Sequence, residues 1–268
     1  VDCIEISANP QVYRKIAKMG LEDLGDPMWP EHIGLFTVPV RIAVSYKVPL
    51  IVWGENPQLE YGGSAEISGN PNIDKEYCYK HGGYFMDKIS TEDLVKYNFD
   101  LKDLLPFIFP SNEEIMQAGI KGIFLGYYLK WDARKQLEVV KKLGFQTLGR
   151  PCEGTFTDYE NLDSPIVPMH DYFKFLKFGY GRATDQASID IRNNRLSRIE
   201  ALKLIKSNEG KIPLEYFDDF LKNFDLSKDE FLKICEKWTN KEIFKTDEHG
   251  ILYRDENNNL EKKKYDNN

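Results

Sequence analysis

The spacing of apolar residues changes period several times in the first sixty positions. Asp2–Ser7 is a short apolar segment with the pattern of a strand. Asn9-Pro10 then supplies an N-cap followed by proline at the first helical position. Val12, Ile16 and Met19 continue at helical spacing, and Gly25 supplies a stop. A second helix is predicted over roughly 35–46. Pro49-Leu-Ile-Val-Trp53 is an almost continuous apolar run, which suits a parallel strand covered on both faces. Strand, helix, helix, strand in this order predicts a doubly wound, mostly parallel α/β sheet.

Residues 57–90 are rich in Gly, Asn and Tyr and carry no period, which marks a functional loop or lid. Short helices are predicted over 91–97 and 111–118, the second opening with the capping box Ser111-Asn-Glu-Glu114. Ile120–Leu125 reads as another buried strand. Asp132 caps a helix carrying Leu137, Val140 and Leu143 that stops at Gly144. Beyond residue 150 the segments near 185–194, 197–206, 213–223 and 227–238 all read as helices, two with the boxes Ser197-Arg-Ile-Glu200 and Ser227-Lys-Asp-Glu230. The expected division is an α/β region over 1–150, a mainly helical region over 151–245, and a polar tail over 246–268 that frays at its end.

Composition narrows the class. With 268 residues, 41% hydrophobic and 13% aromatic, the chain can bury a substantial core. No apolar run approaches the ~20 residues that span a bilayer, and no secretion signal is visible. A cytoplasmic protein with no membrane partner is expected. A net charge of −7 argues against a broad nucleic-acid surface, which needs clustered Lys and Arg. Cys3, Cys78, Cys152 and Cys235 are far apart and form no CxxC pair, so neither a local zinc site nor a disulfide framework is signalled.

Four segments could carry chemistry. Trp53-Gly54-Glu55-Asn56 follows the apolar strand, and ligands in open α/β sheets bind beyond the carboxyl ends of strands. The same residues also read as a solvated turn. Glu60-Tyr-Gly-Gly63 opens the irregular loop, where Glu60 could bind a hydroxyl or Mg²⁺, or where the glycines simply build a surface loop. Tyr127 and Trp131, in Leu125-Gly-Tyr-Tyr-Leu-Lys-Trp131-Asp132, could stack on a sugar or a base, although aromatic clusters are more often core. Lys177-Phe-Gly179-Tyr-Gly181-Arg182-Ala-Thr184 precedes a helix, and free helix N–H groups beside an arginine make an anion site. Read as structure alone, it is a glycine-rich helix start with Arg182 paired to a carboxylate such as Asp185 or Asp190.

Together these segments resemble the N-acetyl sugar amidotransferase family. The resemblance rests on Gly25-Asp-Pro-Met-Trp-Pro30, Pro49-Leu-Ile-Val-Trp-Gly-Glu-Asn56, Glu60-Tyr-Gly-Gly63, Phe124-Leu-Gly-Tyr-Tyr128 with Trp131-Asp132, Glu153-Gly-Thr155, and Lys177–Thr184, in order, over residues 1 to 245. It implies an ATP-pyrophosphatase-type sheet and a place in surface-polysaccharide (lipopolysaccharide O-antigen) or flagellin-glycan synthesis. ATP with Mg²⁺ would adenylate the oxygen of a sugar's acetamido group. Ammonia from a glutaminase, passed through a cyclase-like subunit, would displace AMP and leave an acetamidino group. From its place just beyond the strand end, Glu55 is the expected catalytic residue and Mg²⁺ ligand. Gly54, Asn56, Glu60, Tyr127, Trp131, Lys177, Arg182 and Thr184 are expected to contact substrate or ATP.

The family opens with paired CxxC cysteines and a Ser-Gly-Gly-Lys-Asp-Ser pyrophosphate loop, and neither occurs in these 268 residues. The sequence begins with Val, already inside an apolar segment, and reads as a fragment incomplete at its N-terminus and inactive by itself, the alternative being a degenerate relative of the family. Two other readings stay open: another ATP pyrophosphatase such as a tRNA-thiolating enzyme, or a non-catalytic sugar-binding scaffold.

Overall fold

The computed structural model describes residues 2–54, 72–73, 95, 99–256 and 259–263. It divides into two compact units, Val1–Trp131 and Asp132–Asn268.

In the first unit, α1 (Pro10–Leu24) starts where the sequence places it: the Asn9 side chain accepts the N–H of Gln11, with Pro10 at the first position. Gly25 ends it in the left-handed conformation. Gly20 faces the following turn so closely that an added Cβ would lie 2.5 Å from the Asp26 carbonyl oxygen and 2.6 Å from the Cβ of Trp29. Buried Asp26 closes that turn by accepting the Met28 N–H (3.0 Å) and facing His32 Nδ1 at 2.9 Å. α2 (Trp29–Tyr46) therefore begins well before the expected start near residue 35. Val12, Ile16, Leu24, Trp29, Ile33, Leu104 and Phe107 form one core, the last two from α3 (Leu101–Leu104) and the 3₁₀ turn that follows it.

β1 (Leu50–Trp53) pairs in parallel with β3 (Lys121–Phe124), and β2 (Asn72–Ile73) pairs antiparallel on the far side of β3. Between them in sequence, α4 (Asn112–Ala118) carries the complete Ser111–Glu114 capping box. Trp53 and Phe124 point to one face of the sheet and pack with Val40, Phe36 and Ile115. On the other face Leu50 and Val52 are each 49% exposed. This corrects two expectations. The apolar run belongs to a strand covered on one face, and the described sheet is three-stranded and mixed. Asp2–Ser7 forms no strand: an isolated apolar stretch needs a neighbouring edge, and among the described residues it pairs with none. The doubly wound ATP-pyrophosphatase sheet is thus met only as a mixed α/β arrangement with one parallel pair. α5 (Leu125–Tyr128) follows directly on β3.

The second unit is helical: α6 (Ala133–Lys141), α7 (Val167–Phe178), α8 (Arg182–Arg192), α9 (Arg198–Asn208), α10 (Phe217–Phe224) and α11 (Lys228–Trp238). The sequence pattern gives no periodic sign of α7, because its aromatic-rich run carries buried residues almost all round rather than on one stripe. α9 and α11 open with their predicted capping boxes. Phe231 of α11 meets Phe173, Phe217 and Phe220 edge-on, with ring centroids 6.1, 5.1 and 5.9 Å away. Fully burying one such ring contributes about 2–3 kcal/mol. The segments 243–247, 251–255 and 259–263 form a small antiparallel meander through the bridges Phe244–Lys262, Thr246–Leu252 and Arg254–Leu260. The sequence pattern alone puts most of it in the polar tail. No helix among the described residues is long and apolar enough to cross a membrane.

Candidate functional site

Glu55, Asn56 and Glu60 lie outside the described residues. Gly54 directly follows β1, and a Cβ added there would touch nothing among the described residues. Tyr127 is exposed and set edge-on to Tyr128, 5.3 Å between centroids, while Trp131 is half-buried. The remaining three expected residues, Lys177, Arg182 and Thr184, belong to the second unit and surround the turn between α7 and α8.

That turn explains Gly179. Gly179 takes φ +75° as the C-cap of α7, and an added Cβ would come within 2.8 Å of Ile243 Cγ2. At Gly181 an added Cβ would lie 3.5 Å from the carboxylate of Glu209. Glu209 Oε1 in turn accepts the N–H of Thr184 at 2.5 Å. A negative group does sit at this helix N-terminus, where free N–H groups and the helix dipole favour one. It is the protein's own carboxylate.

The side chains diverge from there. Lys177 Nζ lies over the Phe178 ring, and its backbone oxygen accepts from Asn240 Nδ2 at 3.2 Å. Arg182, with 18% of its side chain exposed, turns inward. Its Nη2 donates to Asn161 Oδ1 (3.3 Å), and its Nε stands 3.7 Å from Asp171 Oδ2 and 3.8 Å from Glu160 Oε2. Asn161 Nδ2 donates to Asp171 Oδ2 at 2.7 Å. Gln186, one turn along α8, donates to Thr157 Oγ1 (2.7 Å) and Glu160 Oε2 (2.9 Å) and accepts the N–H of Phe156. Lys174 of α7 bonds Asp185 of α8. Burial pushes the Asp185 carboxyl up to about 6, and the Lys174 ammonium opposes that rise without cancelling it.

A second ionic cluster lies along α8. Arg195 donates to Asp132 through both terminal nitrogens, at 2.9 and 3.0 Å, and through Nε to Asp190 at 2.7 Å. Arg134 grips Asp190 from the other side at 3.0 and 2.5 Å. Asp132, held below the usual carboxylate range by Arg195, also caps α6 through the N–H of Arg134. A shallow cleft lies beside this cluster, edged by Tyr159, Glu160 and Gln186. Burial raises the Tyr159 phenol to about 12, so it stays protonated and can donate.

Sequence reasoning named Arg182 and its turn but missed Glu160, Asn161, Asp171, Gln186 and Glu209. Their meeting depends on chain returns of about ten to thirty residues that no local spacing reveals. The Glu153-Gly-Thr155 motif proves structural in part: the Glu153 carboxylate accepts the N–H groups of Leu214 (2.8 Å) and Glu215 (3.0 Å), fixing the approach to α10.

Residues 153–257, which contain the polar centre around Arg182 and the meander, match the family model for the LPS biosynthesis protein WbpG-like, C-terminal domain. That match makes the helical unit similar to the C-terminal domain of a lipopolysaccharide biosynthesis protein. No curated protein matches the chain.

Proposed function

We propose that the chain is part of an ATP-dependent amidotransferase of lipopolysaccharide biosynthesis that turns the acetamido group of a sugar into an acetamidino group. The observation that carries this reading is the match over 153–257, because it encloses the Lys177–Thr184 motif on which the family resemblance rests. Nucleotide-linked sugars are the expected substrates. The amide oxygen would attack the α-phosphorus of ATP and expel pyrophosphate. Ammonia then adds to the activated carbon, AMP leaves with the oxygen, and a proton is lost. An amide oxygen leaves poorly by itself and well as AMP, which is why the reaction consumes ATP.

The surroundings of Arg182 argue against a nucleotide phosphate at that point. Glu160, Asp171, Asp185 and Glu209 outnumber Lys174 and Arg182, and a phosphate would meet this excess of negative charge. No phosphate step is assigned to the helical unit. Carboxylates, amides and a tyrosine hydroxyl suit sugar hydroxyls, so this unit is read as the sugar-binding part. ATP and Mg²⁺ are assigned to the strand ends of the first unit, with Glu55 as the expected metal ligand. Ammonia supply by glutaminase and cyclase-like subunits completes the proposal.

Calorimetric titration tests it. A UDP-linked acetamido sugar should bind, and Gln186→Ala, which removes three contacts of the polar centre, should weaken that binding more than tenfold. No heat with any acetamido sugar, from protein shown to be folded, would remove the sugar-binding assignment.

A further inference from the structure

α6 is an amphipathic helix in which no residue is buried. At ~100° per residue, Leu137, Val139 and Val140 fall on one side, and Leu143 just past the helix continues it. Val139 is 58% and Leu143 82% exposed. The chain then turns back at Gly144, φ +99°, and the Phe145 N–H bonds the Val140 carbonyl at 3.1 Å. The N–H of Leu148 is held by the Asp158 carbonyl at 2.8 Å. Exposed Phe145 is thereby held at the end of the helix, next to Leu143, and the apolar patch is preformed there; Leu148 is exposed too.

Lysines border the patch on both sides. On the same helical wheel Lys135 and Lys142 flank Val139, and Lys141 flanks Leu137. All three lysines are exposed. Arg134 and Arg150, in contrast, are drawn to Asp190 and Glu215. Residues 133–150 hold five basic residues and one acidic residue, in a chain whose net charge is −7.

We propose that this patch docks on an anionic lipid surface, with the apolar side chains entering the headgroup boundary and the lysines meeting lipid phosphates. The charge arrangement is what selects this occupant. Long cationic side chains beside an apolar stripe can reach up to headgroups while the stripe enters the boundary. A second copy fits poorly, since a two-fold interface through this patch would gather the bordering lysines of both copies with only Glu138 among residues 133–150 to offset them. The expectation of no membrane partner came from the lack of a spanning segment, and a surface-bound helix needs none. The proposal stands independently of the sugar chemistry above.

Co-sedimentation of the 268-residue chain with vesicles decides it. At low salt the protein should pellet with equimolar phosphatidylcholine–phosphatidylglycerol vesicles and far less with phosphatidylcholine alone. Replacing Lys135, Lys141 and Lys142 together by Gln should weaken binding by roughly a hundredfold. Leu143→Asp should abolish it, and neither variant should lower the melting temperature, because the residues are exposed. Failure to bind anionic vesicles, equal binding to neutral ones, or variants that bind like the parent would each overturn the proposal. A dimer in sedimentation equilibrium that Leu143→Asp dissociates would assign the patch to a second copy and overturn it too.

Discussion

Arg182 is the residue whose surroundings most change its meaning. A guanidinium beside two glycines and a helix start suggests a phosphate grip. Its neighbours are instead Asn161, Asp171 and Glu160, the last two within 4 Å of its Nε. Arg182→Ala would leave two carboxylates facing each other with less compensation, and removing one partner of a largely buried ionic group costs on the order of 3 kcal/mol. A lowered urea midpoint in the ligand-free protein is the expected outcome. An unchanged midpoint with lost nucleotide affinity would restore the phosphate role. Asp185 gives a second prediction at this scale. Its folded value near 6 lies above the ~3.9 of an unfolded Asp. Its contribution to stability is therefore fully present below about pH 4 and is lost as pH rises through about 6. Asp185→Asn keeps the neutral form at every pH. Its stability relative to the parent should rise between pH 5 and pH 7.5, as measured by urea unfolding at both. No change over that interval would show that Lys174 holds the carboxyl at or below its ordinary value, because both states would then be ionised throughout.

Elements in this chain begin where side chains supply the missing hydrogen-bond partners. Asn9, Ser111, Asp132, Ser197 and Ser227 each cap a helix as their sequence context predicts. α8 differs, because Glu209, twenty-five residues further on than Thr184, supplies its cap. Glu209→Ala should cost about 1 kcal/mol, the size of an ordinary cap, with the loss visible as faster exchange of the α8 amides. The glycine at the end of α7 is tested separately. Gly179→Ala introduces a Cβ at φ +75° against Ile243, and both strain and collision should lower stability by more than 1 kcal/mol. Pairing it with Ile243→Ala removes the collision alone. The double variant should cost less than the sum of the single ones, and strict additivity would show that Ile243 is not the obstacle.

At the scale of the whole molecule, the proposed reaction separates chemistry from ammonia supply. If the partner subunits only deliver ammonia, the full-length enzyme should turn over with ammonium salts at raised pH, where more of the ammonium is deprotonated. Substitution of the amide oxygen by NH can be followed by mass spectrometry. A strict requirement for the glutaminase would give the partner a further role.

What the sequence determined by itself is what depends on near neighbours: the capped starts of α1, α4, α6, α9 and α11, the pairing-competent apolar runs of β1 and β3, and Gly25 as a stop. These follow from hydrogen bonds and spacings within a few residues, which any reader of the chain can see. The identity of the α7–α8 turn as a motif was legible too, but not its occupants. Tertiary structure decided that Glu209 fills the helix terminus, that Arg182 faces Glu160 and Asp171, and that Ile243 crowds Gly179. It also decided that Leu50 and Val52 stay exposed while Trp53 is buried, and that residues 243–263 form a meander. Each of these depends on which distant residues approach in space. Charge and burial at a site are sums over such neighbours, so residues that look like a phosphate grip in one dimension can become a hydrogen-bonded, carboxylate-rich centre in three.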